Sequence, residues 1–146
     1  MSVKYIDARF DDVTVGMEIP EVHFPLTPQK MVMFAGVNRD FSPIHTDSEY
    51  ARRDGAKDMY ANSMLIIALF ERMLREWAGL AAKIKKIGPF RMKKFTCVGN
   101  VMIFKGKVCD KRIDKNGDKV VELDVFVETE EDGTTVVGKA MVILKA

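Results

Sequence analysis

Apolar residues follow two different periods along this chain. From Asn62 or Ser63 to Trp77 they recur at helical spacing, and beyond Ile84 they alternate with polar residues as strands do. The first half of the helical segment, Met64-Leu65-Ile66-Ile67-Ala68-Leu69-Phe70, has no polar face, which predicts burial all round. In its second half Met73, Leu74 and Trp77 share one side. Glu71, Arg72, Arg75 and Glu76 share the other, as two opposite-charge pairs at i,i+4. Gly79 supplies the stop.

The rest of the chain reads as strand after strand. Ile84 to Val98 is one long stretch, interrupted near Gly88-Pro89, and Val101 to Ile113 alternates in part. Asp114 to Asp118 contains Asn-Gly, a strong hairpin dipeptide. Lys119 to Glu128 then alternates cleanly, with Val121, Leu123, Val125 and Val127 on one side. Asp132-Gly133 turns the chain into Thr134 to Leu144. Ahead of the long helix, Val22 to Leu26 fits a short strand. Thr27 fits an N-cap with Pro28 at the first helical position, and Gln29 to Val37 continues that helix. Ser48 to Arg53 reads as a second short helix stopped by Gly55, with Asp47 as its N-cap. The order predicts an α+β fold, a curved antiparallel sheet wrapped around a buried central helix.

Composition narrows the class. A chain of 146 residues implies one domain, 1–146, with one ordinary core. Net charge is +2, from 23 basic and 21 acidic side chains, so no electrostatic argument favours nucleic acid or a membrane surface. No apolar run reaches the roughly 18 residues that span a bilayer. The start, Met1 to Asp7, lacks the apolar region of a signal peptide, so a cytoplasmic protein is expected. Cys97 and Cys109 sit in strand-like stretches and are read as two buried thiols in a reducing compartment. His23, His45 and these cysteines are not at metal-ligand spacing, so no metal site is expected.

The chemistry concentrates in Asp40-Phe41-Ser42-Pro43-Ile44-His45-Thr46-Asp47. Pro43 fixes its own φ and pushes Ser42 toward extended geometry, so the loop has a defined shape. A carboxylate and a neutral imidazole held together are the usual pair for moving protons near neutral pH. Each residue also has a plainer role. His45 fits a loop histidine bonded to Asp47 or to a backbone carbonyl, and Asp40 fits a turn residue that caps amides.

This loop resembles the D-x-N-P-x-H-x-D signature of the MaoC-like, (R)-specific enoyl-CoA hydratases. The preceding segment, Leu26-Thr27-Pro28 through Phe34-Ala35-Gly36, resembles that family's approach to the signature. Gly99-Asn100 resembles its Gly-Asp turn, and the likeness runs from about Val15 onward. The resemblance implies the hot-dog fold. It also implies water addition across a trans-2-enoyl thioester to give the 3-hydroxyacyl thioester, or the reverse dehydration. Asp40 and His45 would then hold the water and exchange its protons, with the two roles unassigned between them. The substrate would be an acyl-CoA or acyl-carrier thioester, no cofactor would be needed, and the chain would form a homodimer or a hetero-oligomer.

The chain departs from the family at the start of the long helix. The family has Ala-His-Gly-Met there, with the glycine amide directed at the thioester oxygen. This sequence has Ala61-Asn62-Ser63-Met64. A helix N-terminus still offers free amides, so Asn62, Ser63 and Met64 are candidate substrate contacts, and Asn62 or Ser63 equally fits a cap. With Gly55 to Asn62, Trp77-Ala78-Gly79 and Ile84 to Gly88, this departure resembles the small catalytic subunit of heteromeric steroid side-chain enoyl-CoA hydratases. Such a subunit works beside a second MaoC-like subunit.

Two rivals stay open on the same fold. Glu71, the first acidic residue of the long helix, is the candidate carboxylate for a thioesterase, although its spacing pairs it with Arg75. A non-catalytic acyl-binding subunit is the other. Methionines such as Met31, Met33, Met59, Met64, Met73 and Met92 suit either a core or an acyl tunnel. Lys83, Lys85, Lys86, Arg91, Lys93 and Lys94 suit either a solvated strand face or the phosphates of coenzyme A.

Overall fold

The computed structural model describes residues 4–146; Met1 to Val3, where the reading of the chain start begins, lie outside the described residues. Strands β1 (Glu18–Pro25), β2 (Lys83–Met92), β3 (Val101–Ile113), β4 (Lys119–Thr129) and β5 (Gly133–Ile143) form one antiparallel sheet in the order β1-β3-β4-β5-β2. Three helices, α1 (Pro28–Asn38), α2 (Ser48–Arg53) and α3 (Ser63–Ala78), fall between β1 and β2. Helix α3 touches β1 and β2, the two opposite rims of the sheet, as well as β3. A sheet that reaches one helix with both rims must curl around it. This is the α+β hot-dog arrangement that the pattern predicted.

Alternation explains how the core is built. Val121, Leu123, Val125 and Val127 of β4 are all buried on the face toward α3. Against them lie Leu65, Ile66, Leu69, Phe70, Met73, Leu74 and Trp77. Each side chain of this size contributes about 1.5–3 kcal/mol when fully buried. Phe70 stacks on Phe90 of β2 with centroids 4.9 Å apart, and meets Phe104 of β3 edge-on at 5.0 Å.

Helix α3 departs from the sequence reading. Its first half is not buried all round: Met64 is 54% exposed, Ala68 is exposed and Ile67 is half-buried. The sheet covers one face of α3, so the helix keeps an outer face along its whole length, apolar in the first half and charged in the second. The stretch from Ile84 to Val98 is also not one strand. Strand β2 ends at Met92, and an irregular segment follows to Asn100. Cys97 therefore lies outside the named strands, in an isolated bridge with Tyr60, and Cys109 is half-buried rather than buried. Thr27 caps α1 through Lys30 N and Asp47 caps α2 through the Glu49 and Tyr50 amides, as their residue types predict.

Candidate active site

The Asp40–Asp47 loop takes its shape from the backbone. Arg39 closes α1 in the left-handed region at φ 58°, and the Asp40 amide donates back to Ala35 O at 3.1 Å. Ser42 is extended ahead of Pro43, and Pro43–His45 form one turn of 3-10 helix. The Asp47 amide closes the loop on Pro43 O at 2.8 Å. These bonds aim the Asp40 and His45 side chains at each other. Asp40 Oδ2 lies 3.4 Å from His45 Nε2, with the imidazole buried and the carboxylate partly open.

His45 Nδ1 is 2.7 Å from the Tyr60 carbonyl oxygen. A carbonyl only accepts, so Nδ1 carries the proton and, in the neutral ring, Nε2 carries a lone pair. The plainer role read for His45, a bond to a backbone carbonyl, is thus present on one nitrogen and leaves the other free for chemistry. Tyr60 is itself anchored. Its flanking residues bond the 96–98 segment, with Ala61 N on Thr96 O at 2.9 Å and Val98 N on Met59 O at 2.8 Å.

With the ring neutral, Nε2 and Oδ2 are both acceptors, and at 3.4 Å their lone pairs repel unless a donor serves both. A water molecule has two O–H bonds and meets that requirement. The arrangement suits binding a water and drawing a proton from it.

The pair opens on a pocket of about 260 Å³ lined by Asp40, His45, Asn62, Ser63, Tyr60, Ile66 and Phe95, among others. Asn62 is buried and caps α3, its Oδ1 accepting from Leu65 N at 2.8 Å. Its Nδ2 donates to Asp40 Oδ2 at 2.9 Å. Ser63 occupies the first helical position, where the amide has no intrahelical acceptor and lies at the positive end of the helix dipole. Met64 is not among the lining residues and turns outward. Of the residues named from the sequence, Asp40, His45, Asn62 and Ser63 line one cavity, and Met64 does not.

Tyr60, Ile66, Phe95 and Thr96 line the cavity without having been singled out for it, and Met92 and Lys94 join them from the methionines and basic residues named above. The Tyr60 and Phe95 rings pack at a tilt of 33° with centroids 4.4 Å apart, and Tyr60 meets the His45 ring edge-on. Burial first, then the Asp54 carboxylate, holds the Tyr60 phenol above its ordinary pKa. Of the six methionines named above, only Met92 reaches the cavity. Glu71 lies on the outer face of α3, paired with Arg75 at 3.4 Å, and is not a lining residue. The basic cluster on and after β2 is exposed, with Lys85 bound to Asp114 at 2.8 Å and Lys94 Nζ donating to Asp132 O at 2.5 Å. Among the described residues, no helix is long and apolar enough to cross a membrane.

The profile of the MaoC like domain family matches residues 12–137. The chain belongs to the MaoC-like family. Within it, one relative is the 3-oxo-4,17-pregnadiene-20-carboxyl-CoA hydratase beta subunit of Mycobacterium tuberculosis, 36% identical over 74 residues. That match covers 51% of this chain and 57% of the relative's own length. Among solved structures, a chain of the ChsH1-ChsH2 complex from Mycobacterium tuberculosis superposes with a TM-score of 0.81 at 25% identity, over 91% of this chain and 99% of its own. The R-hydratase PhaJ1 from Pseudomonas aeruginosa superposes at 0.80 with 22% identity, over 94% and 85%. The (R)-hydratase from A. caviae involved in PHA biosynthesis gives the same score and identity over 91% and 98%. These last two likenesses establish the shared hot-dog fold.

Proposed function

We propose that this MaoC-like chain adds water across a trans-2-enoyl thioester to give the 3-hydroxyacyl thioester, or runs the reverse dehydration. The observation that carries the reading is the 3.4 Å approach of Asp40 Oδ2 to His45 Nε2 at a cavity that also holds the first residue of α3. Water's oxygen bonds to C3 of the enoyl group while the pair takes one of its protons. The π electrons move toward the thioester oxygen, to which the Ser63 amide would donate. The proton then passes to C2. The proton removed from water is the one that C2 needs, so the pair returns to its starting state and no cofactor enters the balance.

The named relative acts on a coenzyme A ester and is called a beta subunit, and one structural neighbour is a two-component complex. Both support a coenzyme A thioester as substrate and assembly with a second MaoC-like subunit. The outward apolar positions Met64, Ile67 and Ala68 on α3 fit the need for a partner surface. We place the reaction in the reducing cytoplasm, where the unpaired thiols of Cys97 and Cys109 are stable. The thioesterase alternative loses support, because Glu71 does not face the cavity.

The test is incubation with crotonyl, long-chain and ring-bearing enoyl-CoAs, alone and with any co-purifying subunit, following loss of enoyl absorbance beside release of free thiol. Absorbance is expected to fall without thiol release. Asp40→Asn and His45→Ala are each expected to lower turnover by roughly 100-fold or more. A rate within a few-fold of the unaltered protein in either variant removes that residue from the mechanism, and thiol release would select the thioesterase instead.

A further inference from the structure

The amide of Asn62 does more than end a helix. Its Oδ1 accepts the Leu65 N–H at 2.8 Å, and only an oxygen can do so, which fixes the amide's orientation. The NH2 group must then face the other way, where Nδ2 meets Asp40 Oδ2 at 2.9 Å. The residue that caps α3 is thereby tied to a carboxylate 22 positions earlier, in a different loop.

Asp40 needs such a tie. Its Oδ2 faces His45 Nε2 at 3.4 Å, acceptor against acceptor, and its side chain is 38% exposed. With the ring neutral, the imidazole itself gives this carboxylate no bond that would keep it from turning into solvent. Its other protein donor is the Ser42 amide on Oδ1, at a longer 3.4 Å. Asn62 supplies the short bond, from a side chain that is itself 5% exposed and anchored on the first turn of a 16-residue helix. The donor is also neutral. A lysine or arginine there would hold the carboxylate but compensate its charge and weaken it as a base.

We infer that Asn62 is a positioning residue: it locks the Asp40 carboxylate against His45 and lets the helix cap serve as the rigid mount. This rests on the reading of Asp40 and His45 as the water-handling pair. Serine, aspartate and asparagine cap helices about equally well, so capping alone does not require asparagine. Asparagine combines an acceptor for the cap with a donor for the carboxylate. Serine is too short to reach Asp40, and aspartate would present a second carboxylate.

Asn62→Ser and Asn62→Asp therefore keep the cap and remove the donor. Asn62→Ser is expected to melt close to the unaltered protein, and Asn62→Asp lower, because it sets a second carboxylate against Asp40 in a nearly buried place. Their kcat for enoyl-CoA hydration is expected to fall roughly tenfold or more, with KM changed less than about two-fold. In an Asp40→Asn background the same substitutions should add no further loss, because Asn62 acts through Asp40. Crystal structures of both variants should show the Asp40 carboxylate turned away from His45.

A kcat within about two-fold of the starting value, or losses that multiply in the double variants, overturns the inference. A collapse of melting temperature in both single variants assigns Asn62 to helix stability alone and overturns it too. The crystallographic result stands apart from the reaction. An Asp40 carboxylate that stays in place without its donor defeats the inference whatever the chain catalyses. Absence of turnover in the unaltered protein defeats the proposed function instead.

Discussion

At Gly138 a single added carbon would sit 2.7 Å from Phe90 Cε1 and 2.9 Å from Pro89 O. The Phe90 ring has little room to yield, since its other face is stacked on Phe70. Gly138→Ala is therefore expected to destabilise by about 1–3 kcal/mol through overpacking, measured as a lower urea midpoint at unchanged slope. An unchanged midpoint would show that β2 moves freely over β5. Nothing local marks this glycine, because the contact is made across strands. The Asn62–Asp40 bond was hidden for the same reason. Asn62 stood out as a departure at the start of a helix, and its capping role followed from residue type. Its second bond depends on a loop 22 residues away, brought near by the fold. Asp40 and His45 were readable because a proline between them shapes one short loop.

At the scale of elements, the turn from β3 to β4 shows how a sequence signal becomes a structure. Gly117 takes the positive φ that Asn-Gly predicts, and Asp114 Oδ1 accepts the Asn116 and Asp118 amides. The Lys85 ammonium, then the Asn116 amide, hold the Asp114 carboxyl below the ordinary carboxylate range. A pKa depressed by folding stabilises the folded chain above the unfolded value, about 3.9, and that contribution disappears as pH falls through the folded value. Asp114→Ala is thus expected to melt below the unaltered protein at about pH 7, with the gap closing below about pH 4. A gap that persists in acid would assign the effect to something other than the ionised carboxylate. The long helix was legible in place and length, but its burial was not. Seven apolar residues in a row suggested cover on every side, while the sheet supplies cover on one. The apolar run therefore marks an outer face that composition alone cannot distinguish from core. The expected strand ran past the end of β2 because Lys93 to Val98 keeps strand-like residues in an irregular segment that forms part of the cavity wall.

At the scale of the whole molecule, the sheet order combines neighbouring and distant pairings. Strands β3, β4 and β5 are joined by short turns and pair in sequence, so their hairpins close small loops. The rims do not. Pro25 must find Val101, and Met92 must find Val136, across long intervening chain that includes helices or whole strands. Closing a longer loop costs more entropy before any contact repays it. The central hairpins are therefore expected to form first, with β1 docking late. Pulsed hydrogen exchange during refolding should find β4 amides shielded before those of β1, and simultaneous shielding would refute this sequence of events. The candidate cavity belongs to the late stage as well, because Asp40, His45 and Asn62 all lie in the excursion between the two rim strands. A newly made chain would thus acquire its scaffold before the Asp40–His45 pair is assembled.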